Sequence, residues 1–444
     1  MHDHEPDFWR NLRTELASGT QWFDRAVVLA YAAATGLVVV GFTLLSETAS
    51  DGFTWLRQWG DAGPWLTLVW TPALTVAVLW WTRRFVPGAL GSGVPQVVAA
   101  LDDDTPPRQR SMLVSLRLSL HKIGLVSGGL LAGLSIGREG PTVQVGAGVM
   151  QHASRWLSPR SGIDAHDLMV AGAAAGIAAA FNTPLGGVIF ALEQLSRRRS
   201  ASHSSLVIVC IVLSGLVAVS IFGNLSYFGE LRVQQLSWSL LGPGLLVALV
   251  AGLAGGLFSR LLVVSARGMP DRFSLWRARY PLRFAMGCAF AVAIIGIVTG
   301  GATAGAGYAP TRALLEAQGE LPVTYTVLKF CATWLSAWTG VPAGVFAPSL
   351  SIGAGIGHDV AVLTGVHAEA AIPLIALGMV GFLAAATQGP ITAFIIVMEM
   401  VSGHAMVLSL MATALLSSGV ARLLTGPMYV ELAQLLMPQG PRAP

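Results

Sequence analysis

Apolar runs recur along this chain at about the thickness of a bilayer, and that recurrence constrains the fold more than any other feature. Residues 26–45, 64–81, 206–222, 240–264 and 284–303 each come close to the ~20 residues a membrane-spanning helix requires. With 54% hydrophobic and 11% charged residues over 444 positions, the chain lacks the polar surface a soluble protein of that size needs, so it belongs in lipid. Its 51 glycines and 23 prolines lie largely inside the hydrophobic regions. That pattern implies close helix packing and interrupted helices whose bared backbone lines a cavity. The expected fold class is an all-α polytopic membrane protein, partnered by the lipid bilayer.

A formal charge of +4 does not indicate nucleic acid, because the basic residues sit between apolar segments and are almost all arginine. They read as positive-inside anchors. Arg197, Arg198 and Arg199 flank one loop, and Arg267, Arg272, Arg277, Arg279 and Arg283 crowd another. Both loops are therefore expected in the cytoplasm, with two spans between them. Residues 1–25 are polar and of mixed charge without a cleavable apolar core, which predicts a cytoplasmic lead-in and no signal peptide. After Arg422 the remaining tail is too short for a cytoplasmic regulatory domain. The expected location is a bacterial inner (cytoplasmic) membrane, with both termini in the cytoplasm. Cys210, Cys288 and Cys331 lie far apart in apolar stretches and are assigned to packing, not to disulfide or metal.

The chain also repeats itself. Gly137-Arg-Glu-Gly-Pro141-Thr-Val-Gln-Val-Gly146-Ala-Gly148 matches Gly344-Val-Phe-Ala-Pro348-Ser-Leu-Ser-Ile-Gly353-Ala-Gly355, and each is preceded at the same spacing by a lysine, Lys122 and Lys329, the only two present. Further on, Ala178-Ala-Ala-Phe-Asn-Thr-Pro184 with Glu193 corresponds to Ala384-Ala-Ala-Thr-Gln-Gly-Pro390 with Glu399. The segment ending at Glu193 runs into an arginine loop and its mate does not, so the halves are expected to insert with opposite topology and to hold a site at the midplane. The expected division is a lead-in over 1–25, a first repeat over 26–222, a second over 223–425, and a last helix with its tail over 426–444.

Three turns share one grammar: Gly91-Ser-Gly-Val-Pro95, Gly137-Arg-Glu-Gly-Pro141 and Gly344-Val-Phe-Ala-Pro348. Proline suits the first turn of a helix, where its missing N–H would have no partner anyway. If these helix starts converge, their free N–H groups and dipole ends form an anion site without a full cation. Partial charges replace the hydration shell and still release the ion, whereas a lysine or arginine would hold it. The Ser92 hydroxyl adds a donor. Glu139 is the first candidate for a gate, since a carboxylate within a membrane segment costs roughly 2.5–3.5 kcal/mol and marks function. Among helix-end amides it can take the anion's place, and protonation would discharge and release it. The plainer alternative is an ion pair with Arg138.

These motifs resemble the CLC family of chloride channels and chloride/proton exchangers over nearly the whole chain. The family's serine motif resembles Gly91 to Pro95, its gating-glutamate motif Gly137 to Pro141, and its phenylalanine motif Gly344 to Pro348. The resemblance identifies Tyr429 as the pore tyrosine, which on periodicity alone would be an interfacial aromatic. It implies anion contacts from Ser92, Gly93, Gly140, Phe346, Ala347 and Tyr429, and a homodimer with one pore per subunit built from two inverted repeats of tilted and broken helices, the CLC fold. It also implies an internal proton-accepting glutamate, yet Gln194 stands at that position after Glu193. Glutamine cannot titrate. Two readings stay open: an exchanger whose protons reach Glu139 by Glu193 or water, and an uncoupled chloride channel. Fluoride/proton antiporters of the family differ around the serine motif, and a sodium-coupled transporter would need an acidic or carbonyl-rich cation site. No cofactor, metal site or enzyme is expected: the nine histidines are scattered, and no zinc-spaced pair, phosphate loop or nucleophile elbow occurs.

Overall fold

The computed structural model describes residues 19–159, 161–195, 204–223, 238–319 and 321–437. Its first half contains α1 (Gly19–Arg57), α2 (Gly63–Phe85), α3 (Val94–Ala100), α4 (Pro107–Leu113), α5 (Leu116–Leu131), α6 (Glu139–His152), α7 (Ala165–Phe181), α8 (Pro184–Phe190) and α9 (Ser204–Phe222). The second half contains α10 (Leu241–Arg267), α11 (Arg272–Arg279), α12 (Pro281–Val298), α13 (Tyr308–Leu315), α14 (Thr324–Trp338), α15 (Phe346–Leu363), α16 (Ile372–Thr387), α17 (Pro390–Met400), α18 (Val407–Arg422) and α19 (Met428–Gln434). Seven helical segments among the described residues are long and apolar enough to cross a membrane.

Each of the five apolar runs lies largely within a helix, with instructive differences at the ends. α1 is 39 residues long; at ~1.5 Å per residue it exceeds the ~30 Å hydrocarbon core and must tilt or project beyond it. The boundary expected at residue 25 falls inside this helix. Asp24 is buried there and accepts from the Ser158 N–H at 2.8 Å and the Ser158 hydroxyl at 2.6 Å, which anchors the polar start of α1. The run over 284–303 stops being helical at Val298, because the chain then turns through Gly300 and Gly301 at φ of 62° and 89°. Residues 1–18 and the Arg197 to Arg199 loop lie outside the described residues.

The two halves match in detail. α6 packs on α7 where a Cβ on Gly146 would stand 2.2 Å from the Gly172 carbonyl oxygen, and α15 packs on α16 where a Cβ on Gly353 would stand 2.3 Å from that of Gly378. Only glycine permits backbones so close. α7 ends at Asn182 and α16 at Gln388, both left-handed, with φ of 55° and 51°. A proline opens the next helix each time, Pro184 for α8 and Pro390 for α17. Glu193 then accepts from the Ile391 and Thr392 N–H groups at 3.1 and 2.7 Å, at the start of α17, while Glu399 accepts from Leu185 and Gly186 at 3.2 and 2.7 Å, at the start of α8. Each acid caps the other repeat's helix, where the dipole favours a negative charge.

The lysines follow the same symmetry. Both are fully buried. Lys122 Nζ donates to the carbonyls of Ala89 at 2.8 Å and Gly91 at 2.7 Å, and Lys329 Nζ to those of Thr303 at 2.9 Å and Gly305 at 2.8 Å. Each ties down the turn ahead of a short helix, α3 in the first half and α13 in the second.

Candidate functional site

The three glycine-proline corners meet. One extended stretch, residues 341–344, stitches two of them together. Gly91 N–H donates to Val341 O at 3.3 Å and Ala343 N–H to Gly91 O at 3.1 Å, while Gly137 and Gly344 exchange both backbone bonds at 2.8 and 3.0 Å. α3 opens at Val94, α6 at Glu139 and α15 at Phe346, each with its proline in the first turn. The first backbone bond of α6 runs from Thr142 N–H to Arg138 O, and that of α15 from Ser349 N–H to Val345 O. The N–H groups of Glu139, Gly140, Phe346 and Ala347 therefore have no intrahelical partner.

Ser92 sits against Gly140 so closely that a Cβ on that glycine would lie 2.4 Å from Ser92 Oγ. The Tyr429 ring stacks on Phe346 with centroids 5.9 Å apart and planes 19° apart, and Phe181 and Phe190 close around the same ring. α19 is held in place by Gln388, whose Nε2 donates to Thr425 O at 2.7 Å and Gly426 O at 3.0 Å. The hydroxyls of Ser92 and Tyr429 are buried and interact across the gap without closing a hydrogen bond of normal geometry. Both residues line a cavity of about 320 Å³. Buried hydroxyls normally find partners; these two have only each other, and either O–H can rotate to donate to an anion.

One expected donor is otherwise engaged. Gly93 N–H donates to Gln96 Oε1 at 2.9 Å, and Gln96 Nε2 in turn donates to Leu90 O. The side chain thus caps α3 and withdraws that amide from the pathway.

Glu139 is completely buried. Its Oε2 has no hydrogen-bond donor and lies over Gly137, which also touches Ala347 and Pro348, so the carboxylate sits where two corners cross. Oε1 accepts from the Tyr308 hydroxyl. The ion pair with Arg138 is not the contact that fixes the acid. Arg138 Nε stands 4.0 Å away, while Arg138 Nη2 is 3.2 Å from Glu47 Oε1 and Nη1 donates to Thr43 O at 3.3 Å. The guanidinium lies 5.7 Å from the centre of the Tyr308 ring. Glu47, Arg138 and Tyr308 line a second cavity of about 800 Å³.

Tyr308 escapes the motif reading, which counts three corners. The structure has a fourth. Gly305-Ala-Gly-Tyr308 repeats Gly91-Ser-Gly-Val94, with positive φ at both glycines each time, a buried lysine on the first carbonyl and a helix start at the fourth residue. The signal was present as Gly305-Ala-Gly307 upstream of Lys329, as Gly91-Ser-Gly93 lies upstream of Lys122.

The position that the resemblance marks for an internal proton acceptor holds a buried glutamine. Gln194 is buried with its Nε2 unpartnered and pressed against Gly389, where a Cβ would stand 2.1 Å away. Glu193, offered as a substitute proton carrier, is committed to the cap of α17. One group of metal-ligand type occurs among the described residues, Asp164, His166 and Asp167, with ligand atoms within 4.8 Å. Asp164 there accepts from Asp167 N–H at 2.8 Å as the N-cap of α7.

This architecture defines a class: a helical membrane protein of two like halves, with helix N-termini meeting at a buried acid between two openings. A family model described as voltage gated chloride channel matches residues 74–422, so the chain belongs to that family, the CLC proteins. It is 30% identical over 409 residues to the H(+)/Cl(-) exchange transporter ClcA of Vibrio parahaemolyticus, covering 87% of this chain and 83% of that one. It is 29% identical over 422 residues to ClcA of Citrobacter koseri, covering 89% and 85%. These relatives are named as transporters, consistent with the expectation of no enzyme. Among solved structures it superposes on a slow cyanobacterial Cl−/H+ antiporter with a TM-score of 0.77 at 24% identity, covering 94% and 98% of the two chains. On a CLC-type fluoride/proton antiporter the TM-score is 0.71 at 21% identity, covering 92% and 97%. The shared fold is the CLC fold of inverted repeats.

Proposed function

We propose that this protein transports chloride, or a similar small monovalent anion, across the bacterial inner membrane in exchange for protons, with Glu139 as the gate. The observation that carries this reading is a completely buried carboxylate at crossing helix N-termini, with the Ser92 hydroxyl against the adjacent Gly140 and the Tyr429 hydroxyl facing Ser92. Amides and hydroxyls replace the water around an anion, and the carboxylate competes for the same donors. A proton delivered to Glu139 neutralises it and frees those donors, so the two ions alternate. The names of the ClcA relatives support exchange. Bound anion would contact Ser92, Gly140, Phe346, Ala347 and Tyr429, with cytoplasmic termini and a homodimer carrying one pathway per subunit.

Coupling is weakened because Gln194 holds no titratable proton and Glu193 is tied to two backbone donors. That observation favours an uncoupled chloride channel as the second reading. The deciding experiment is the reversal potential of purified protein under opposed chloride and pH gradients. Exchange displaces it from the chloride equilibrium value and Glu139→Gln returns it there with flux kept or raised. An E139Q protein with wild-type displacement would remove Glu139 from the gate.

A further inference from the structure

Leu246, Val250, Ala254 and Leu257 recur every three or four positions along α10 and so share one face of that helix. With α14 and α15 this face encloses a hollow of about 730 Å³, away from the anion pathway. Val250, Leu257, Val327 and Leu363 line it and are exposed. On a chain built for a bilayer, an open apolar hollow faces lipid. From Leu246 to Leu257 the stripe rises ~16 Å, about half of a ~30 Å hydrocarbon core, so its length matches one leaflet.

The lining is apolar except for Thr326 and Asp359, which meet at one end. The Thr326 hydroxyl, in the first turn of α14, donates to Asp359 Oδ2 at 2.6 Å. Further along, the same two helices present Phe330 and Ile352. α15 starts at the corners with Phe346, and the 13 residues from there to Asp359 rise ~20 Å. With the corners at mid-bilayer, as inverted repeats place them, the acid stands where hydrocarbon gives way to headgroups even on a tilted helix. Room for an acyl chain therefore lies on the inner side of the acid.

A carboxyl in apolar surroundings is costly unless it is paired. One neutral hydroxyl does not balance its charge. Among the described residues Oδ1 has the neighbouring His358 Nδ1 at 3.5 Å, the outer limit of a hydrogen bond. No arginine or lysine among them pairs with Asp359. The nearest lysine in sequence, Lys329, is bound to the Thr303 and Gly305 carbonyls.

We propose that this hollow is a lipid site, in which one acyl chain lies along α10 and the primary ammonium of a phosphatidylethanolamine-type headgroup pairs with Asp359. A primary ammonium supplies both the charge and the N–H donors that Oδ1 lacks. A trimethylammonium has the charge without a donor, and an anionic headgroup is repelled. The site does not depend on which ion the protein carries.

The test uses the full chain, purified and stripped of lipid in a neutral detergent. Native mass spectrometry measures the dissociation constant of the first lipid bound per subunit, for phosphatidylethanolamine, phosphatidylcholine and phosphatidylglycerol of the same acyl chains. Wild type is expected to bind phosphatidylethanolamine about tenfold more tightly than phosphatidylcholine, the effect of one charge-assisted hydrogen bond at a partly hydrated site. Asp359→Asn should reduce that ratio to less than about threefold while phosphatidylcholine binding stays. Ala254→Phe fills the hollow from α10 and should weaken binding of both lipids several-fold. Equal wild-type affinity for the two, a preference for phosphatidylglycerol, or an unchanged ratio in D359N overturns the proposal. Should D359N not fold, A254F decides, and phosphatidylethanolamine binding equal to wild type in that variant sinks the site.

Discussion

Replacing Tyr308 by phenylalanine removes one oxygen and isolates the one side-chain hydrogen bond to the Glu139 carboxylate among the described residues. A hydrogen bond to a charged group contributes about 1.5–3 kcal/mol, which is about ten- to a hundredfold in an equilibrium. Tyr308 is half-buried at the edge of the 800 Å³ cavity, so water takes up part of the lost bond and the lower end applies. The carboxylate should leave its blocking position about tenfold more often. Chloride efflux from vesicles at neutral pH should rise by up to that factor, with the phenyl ring still packed under Arg138. Because the effect is exerted through the acid, the same substitution made on Glu139→Gln should change efflux by less than about twofold. Wild-type efflux in Y308F, or an equal effect with and without Glu139, would refute the argument that this hydroxyl holds the gate.

Other outcomes follow from the same geometry. Gln194→Glu should strengthen proton coupling, read as a larger displacement of the reversal potential; an unchanged displacement would mean that protons enter elsewhere. Lys122→Met leaves the Ala89 carbonyl without its donor while Gly91 O keeps Ala343 N–H, and Lys329→Met takes the lysine donor from the Thr303 and Gly305 carbonyls, at a cost of about 1–3 kcal/mol for each orphan. Both should lower the midpoint of thermal unfolding in detergent, Lys329→Met by more. Only the first should also weaken chloride affinity, because Lys122 fixes Gly91 beside Ser92; equal affinities in the two variants would contradict that division.

Much of this site was legible in the chain because its parts announce themselves through backbone chemistry. A glycine four residues ahead of a proline in an apolar stretch has few uses other than to start a helix inside the membrane. The repeat of Lys122 and Lys329, and of Glu193 and Glu399, set the correspondence of the halves before any coordinates. What stayed hidden depends on side chains meeting across the fold. Nothing near Gly93 reveals that Gln96 will fold back onto its amide. The adjacency of Arg138 and Glu139 suggests a pair, yet the start of α6 sends the guanidinium to Glu47, 91 positions earlier in the chain. Tyr308 was missed because its proline, Pro310, stands three and five positions after Gly307 and Gly305 instead of four after a glycine, and because it lies 214 positions after its mate Val94, whereas the two longer corners are 207 apart. The acid at 193 resembled a proton carrier until its partners, the amides at the start of α17, were in view.

The sealing of both lysines has a practical side. Amine-directed dyes, crosslinkers and lysine-cleaving proteases meet no lysine on the surface of the folded chain, since Lys122 and Lys329 have no exposed area. One lysine introduced at an exposed position would be a singular attachment point, and labelling of either native residue would report that the core had opened.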